Sequence, residues 1–183
     1  FDTSTKKYSG LELIDKVFPK YGIVPDLIVA PGWSDKSNVA AVMTAKADAI
    51  NTVFKGAKAL IDADTNTVRH YADGPAWKKA QNMNSKAEIL CWPMFGLGDR
   101  AFHASVHVAG LMGKTHSDNG GCPAESPSNK SLQIDRAMLA DGTTVLLDLA
   151  QANYLNSNGI VTALNFIGSY VLWGDETACF PAD

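Results

Sequence analysis

The chain is 183 residues long, with 46% apolar residues, 19% charged residues and a net charge of −3. A domain of that length buries about 70% of its unfolded surface, so it needs no disulfide or metal to fold, and the composition excludes intrinsic disorder. Sixteen Lys and Arg stand against nineteen Asp and Glu. With no basic run and no aromatic-interleaved basic stripe, the chain lacks the charge that grips a phosphate backbone, so nucleic acid is not an expected partner.

Cys91, Cys122 and Cys179 are odd in number, far apart and never spaced as CxxC. That pattern argues against a disulfide framework or a zinc ribbon and suits a reducing compartment. No apolar run approaches the roughly 20 residues that span a bilayer, so membrane insertion is not expected. The start, Phe1 to Gly10, is polar, without an initiator Met or a signal-type apolar stretch, and reads as part of something longer.

Along the chain, Ser9 and Glu12 have capping-box spacing ahead of Leu11, Ile14, Val17 and Phe18, a helical stripe that Pro19 and Gly22 end. Leu27 to Ala30, stopped by Pro31-Gly32, reads as a buried strand. Asp35 or Ser37 is placed to cap the next helix, whose stripe runs Val39, Val42, Met43, Ile50, Val53 and Phe54. Ala59 to Asp62 and Glu88 to Trp92 predict two further strands, with a short helix around Trp77 between them. Phe102 to Met112 and Val145 to Leu155 predict helices, and Leu132 to Leu139 an extended segment. Ile160 to Phe166 and Tyr170 to Trp173 flank Gly168-Ser169 as a hairpin. Strands alternate with helices early and look antiparallel late. The fold class is therefore α/β, shading to α+β in the C-terminal third, with a three-layer mixed sheet flanked by helices in one domain, 1–183.

Five patterns imitate chemistry. Gly110 to Thr115 ends in Gly-Lys-Thr, but Val108 stands where a phosphate-binding loop needs its first glycine, and a helix ending at Gly-Lys explains it better. Gly96-Leu97-Gly98 with Ala101 matches a dinucleotide fingerprint, expected to follow a strand and open a helix. Asp99 and Pro93 weigh against it, since one adds negative charge and the other interrupts the strand. Asp62, Asp64, Asn66 and Asp73 imitate a calcium loop, but Thr67 replaces the glycine of its sharp turn. His103 and His107 sit four apart on a helix without the glutamate of a zinc protease. Gly32-Trp33-Ser34-Asp35-Lys36 opens like a nucleophile elbow, but Lys36 replaces its second glycine. No catalytic, cofactor-binding or metal-ligating residue is assigned.

The order of smaller motifs says more. Pro25 to Gly32 makes an apolar strand ending in Ala-Pro-Gly, Leu60-Ile61-Asp62 a strand ending in Asp, and Trp92-Pro93 an aromatic-Pro element. Then come Ser105, Ala109-Gly110, Gly120, Pro127-Ser128-Asn129, Leu155-Asn156-x-x-Gly159-Ile160 and Trp173-Gly174-x-x-Thr177. In that order, over nearly the whole chain, they resemble the conserved core of contractile phage tail sheath proteins. His116 and Glu176 depart from the resemblance, standing where the family usually has Asp and Arg.

The resemblance implies a structural protein and not an enzyme. A sheath subunit polymerises in helical rings around a tail tube, and contraction drives the tube through the target cell envelope. The implied partners are other sheath subunits, the tail tube protein, and baseplate and tail terminator proteins. The implied location is a virion tail assembled in the bacterial host cytoplasm. The resemblance further implies that extended arms near the termini lace neighbouring subunits together, and that this chain is a core without them, monomeric or weakly associating. Two other classes remain open at this point. One is a nucleotide- or dinucleotide-binding enzyme using the Gly96-Leu97-Gly98 turn. The other is a calcium-dependent binding module on Asp62 to Asp73.

Overall fold

A computed structural model describes residues 2–181. Its centre is a five-stranded sheet of β1 (Leu27–Val29), β2 (Lys58–Asp62), β3 (Glu88–Cys91), β8 (Ile160–Phe166) and β9 (Ser169–Trp173), in that spatial order. The first four run parallel, and β9 returns antiparallel through the predicted hairpin. Alternation of side chains across the sheet assigns the faces. Ala59, Ile61, Leu90 and Ile160 lie on the face covered by α2 (Ser37–Asp48), α3 (Gly74–Ala80) and α5 (Leu149–Asn156). Leu60, Cys91 and Val161 face α4 (Ala104–Asp118). This is the expected three-layer arrangement. Apolar residues occupy both faces of the central strands because helices cover both.

A second sheet, β5 (Arg100–Phe102), β4 (Met94–Leu97), β6 (Arg136–Met138) and β7 (Thr144–Val145) in spatial order, is antiparallel and was not foreseen as a unit. Its Phe95 and Ala137 pack with Val108 of α4, while Leu139 and Val145 reach the cluster around Trp92. The Trp92 indole is buried and donates to the Val68 carbonyl at 2.9 Å.

Several local expectations change. Ser9 makes no side-chain cap; residues Gly10–Lys16 form a 3₁₀ helix and only α1 (Val17–Tyr21) is α-helical. Glu12 is drawn away to Lys46 at 3.1 Å. Pro19 is tolerated because it falls in the first turn of α1. Lys36, making no side-chain cap bond, precedes α2 in place of Asp35 or Ser37: Ser37 is already the first helical residue, and the Asp35 carboxylate pairs with the Lys36 ammonium at 3.1 Å. The expected stripe is cut short: α2 ends at Asp48, so Val53 lies beyond it and is exposed, while Val42 is exposed within the helix, whose buried residues are Ala40, Met43 and Ala47.

The helix expected from Val145 begins instead at Leu149. Asp148 and Gln151 form a reciprocal capping box there (2.8 and 3.2 Å), and Thr144-Val145 pairs with β6. The helix expected to stop at Met112 continues through Gly113-Lys114-Thr115 to Asp118.

Candidate functional site

In open α/β sheets ligands bind beyond the carboxyl ends of the strands. Here that crevice is closed by a polar joint. Asp62, the last residue of β2, accepts from the Ser105 amide at 2.8 Å, the Ser105 hydroxyl at 2.6 Å and the Ser34 hydroxyl at 3.1 Å. Ser34 Oγ accepts in turn from the Asp62 amide at 3.0 Å. All three residues are buried. The carboxylate thus caps α4 from a neighbouring strand, where the positive end of the helix dipole favours it. His103 Nδ1 stands 3.7 Å from Asp62 Oδ2 at the rim. Ser, His and Asp meet, but each serine hydroxyl points to the aspartate and is sealed from solvent. The group holds elements together; it presents no nucleophile.

The five imitations resolve individually. Gly96, Gly98 and Ala101 lie in the β4–β5 hairpin, with Gly96 paired to Ala101. No helix follows the turn, and the Gly98 amide is taken by Asp135, so the dinucleotide reading is corrected: its phosphate-binding amides are spent within the sheet. Gly110 to Thr115 lies inside α4, where the backbone amides are committed to helical hydrogen bonds.

The calcium-like set separates. Asp62 faces inward, Asp64 binds Asn66 and Thr67 within its own turn, and Asp73 accepts from the His70 amide. His103 turns to Asp62, while the His107 ring packs edge-on against Phe95 and Phe102, with centroids at 5.7 and 5.3 Å. The two imidazoles do not converge. Among the described residues no group of three or more His, Cys, Asp or Glu is placed to hold a metal ion. Ser34, the elbow candidate, is the buried joint residue just described.

Burial pushes the His107 pKa below its ordinary value, and its buried Nδ1 has no hydrogen-bond partner among the described residues. The unfolded chain therefore binds this proton more readily than the native one. This contribution to stability is complete above the ordinary value of 6.5 and is lost as pH falls through it towards the lower native value. Unfolding free energies measured from pH 7.5 downwards should fall less steeply in His107→Phe than in the parent; parallel profiles would contradict this account.

The motif residues that carry the tail-sheath resemblance resolve into joints of the same kind. Asn156 holds the backbone amide and carboxylate of Asp175, each at 3.3 Å. The Ser128 hydroxyl accepts from the Gly174 amide at 3.3 Å, and the Asn129 amide donates to Leu172 O at 2.7 Å. Gly159 (φ +67°) lies against the Thr177 and Phe180 carbonyls. Lys78, largely buried, donates to Asn158 O at 2.6 Å and Phe180 O at 2.7 Å; burial lowers its pKa. These contacts strap the segment after β9 across the domain. Sequence spacing could not show the strap, because its partners are far apart along the chain.

Two surface features remain. A groove of about 490 Å³ opens on the α4 face. Its floor is Leu27, Ile89, Val161 and Leu172, one wall is Val108 and Met112, and the loop 121–127 forms the other. Asp26, Glu125, Asp175 and Glu176 line its rim, together with His116 and Lys58, whose ammonium is turned to the Lys86 carbonyl at 2.7 Å. On the opposite face, the 3₁₀ segment and α1 pack on the α2 cluster through Leu11 and Ile14, and Phe18 meets Phe54 with centroids at 4.8 Å. Tyr21 and Ile23 there are each 62% exposed.

No protein-family model matches the chain. A Pseudomonas aeruginosa (strain UCBPP-PA14) protein whose name assigns it as a prophage major tail sheath protein is 29% identical over 180 residues, 92% of this chain. The chain spans 42% of that relative's length. Among solved structures, a chain of the anti-feeding prophage (AFP) baseplate superposes with a TM-score of 0.64 at 20% identity, covering 94% of this chain and 43% of that one. A chain of the PVC sheath complex, an extracellular contractile injection system in the contracted state, superposes at 0.65 and 19%, covering 94% and 45%. The α/β fold and the resemblance to contractile tail sheath proteins, read from motif order, are thus borne out: the chain is similar in sequence to a prophage tail sheath protein and in fold to chains of contractile injection systems.

Proposed function

We propose that this chain serves as the corresponding portion of a contractile tail sheath subunit, a structural element and not an enzyme. The observation that carries this reading is the 29% identity running across 92% of the chain. The site geometry supports it, because the motif residues discussed above are joints between elements. Asp62, Asn129, Asn156 and Gly159 make a rigid body with its strand ends and its last segment tied down. A machine that sums many small interface free energies along a polymer needs such subunits.

In this reading the subunits stack as helical rings around a tail tube, between a baseplate and a tail terminator. They assemble in the bacterial host cytoplasm and contract to drive the tube through the target envelope. Negative-stain electron microscopy of the natural gene product, purified and concentrated, should show hollow tubes or ring stacks. Discrete small particles at every salt and protein concentration would overturn the proposal.

A further inference from the structure

We propose that the acid-rimmed groove on the α4 face receives the basic aromatic patch, residues 16–23, of a second copy of this chain, in a head-to-tail contact. The inference deepens the polymer reading and rests on it for the identity of the occupant. The complementarity itself comes from the two surfaces.

The groove offers an apolar floor under a rim of four carboxylates, and among the described residues those of Asp26 and Glu176 have no hydrogen-bond or ion-pair partner. The patch offers the reverse. Lys16 and Lys20 lie over the rings of Tyr8 and Tyr21 at 4.0 and 4.9 Å, and among the described residues neither has a carboxylate within ion-pair distance. Beside them Tyr21, Ile23 and Phe18 are exposed at 62, 62 and 40%. A short helix with two cations and protruding apolar side chains matches a groove with an apolar floor and unpaired anions. Aromatic anchors ringed by charge pairs are the usual make-up of a specific contact.

The geometry also decides the symmetry. The segment that carries the patch packs through its flanking Leu11, Ile14 and Val24 on the cluster of Ile28, Met43 and Ala59, on the α2 face, whereas the groove lies over Leu27, Val161 and Leu172 on the α4 face. Patch and groove thus belong to opposite faces of one sheet. A patch that fits a different surface makes a heterologous contact, which propagates to rings or helical filaments and does not stop at a two-fold dimer.

Sedimentation equilibrium of the 183-residue chain, from micromolar to millimolar concentration, tests this. Self-association should extend beyond a dimer and weaken as salt rises. Lys20→Glu and Glu176→Lys should each weaken it by about tenfold or more, and the double exchange should recover most of the loss. Asp26→Lys provides a second groove variant at an exposed position, and circular dichroism confirms that each variant is folded. Association that is absent, that stops at a dimer, or that both single reversals leave unchanged overturns the proposal. Because the readout is a contact of this chain in solution, its failure leaves the tube test above standing. Discrete particles in the tube test would likewise leave a measured contact standing.

Discussion

Asp62→Ala is expected to lower the unfolding free energy by about 3 kcal/mol, the larger of two stability effects anticipated here. The substitution removes an acceptor from two buried hydroxyls and from the Ser105 amide at the start of α4. Each buried donor left without a partner costs about 1–3 kcal/mol, and a lost helix cap alone costs about 1 kcal/mol. In a protein of this size about 3 kcal/mol corresponds to a fall in Tm of roughly 6–12 °C. Asp62→Asn keeps the shape and one carbonyl oxygen and should lose less than half as much. Urea unfolding of the three proteins checks this. An alanine variant within about 0.5 kcal/mol of the parent, the range of an ordinary surface substitution, would show that the joint is not what ties β2 to α4.

Gly159→Ala is expected to cost about 2–3 kcal/mol and to loosen the segment after β9. Gly159 has φ +67°, where a non-glycine residue is strained by about 1–2 kcal/mol. An added Cβ would also stand 2.5 Å from Thr177 O, 2.7 Å from Phe180 O and 2.9 Å from the Lys78 ammonium. Two of those three are backbone atoms, so they yield only if the strap lifts. Hydrogen exchange reads this directly. The Ala178 amide, which donates to Glu88 O at 2.9 Å, should lose protection in the variant, while amides inside β2 and β3 change only by the global loss of stability. Uniform loss across all of them would mean that the strap does not open separately.

The two predictions concern different levels of the same body. Asp62 ties a strand to the helix on the α4 face; Gly159 and Lys78 tie the last described segment to α3 and the α5–β8 turn. In the proposed sheath role, force would pass through contacts between subunits, and the body between those contacts would have to resist deformation. Both joints would serve that end, one with a buried carboxylate and the other with a strained backbone position.

What the sequence determined by itself is the periodic and the local. Short apolar runs located β1, between Pro25 and Pro31-Gly32, β2, closing with Asp62, and β3, because a strand buried on both faces shows no alternation and must be short. Gly168-Ser169 between two apolar runs located the β8–β9 hairpin. The order of short motifs was enough to bring out the sheath resemblance, since glycines, prolines and buried polar residues mark places where a fold tolerates little else.

Only the tertiary structure decided where competing local signals end. Thr144-Val145 continues an apolar pattern into Leu149, yet β6 and the Asp148–Gln151 box split it into strand and helix. Gly96 to Ala101 satisfies a fingerprint of spacing alone, and β6 converts it to sheet because its strand can pair there. Asp62 reads from spacing as the end of a strand or the first position of a calcium-like loop. Its role was settled by Ser34 and Ser105, 28 and 43 residues away. Spacing constrains what one helix or turn can do, whereas a joint is made by partners brought together from distant parts of the chain, and no local pattern encodes that encounter.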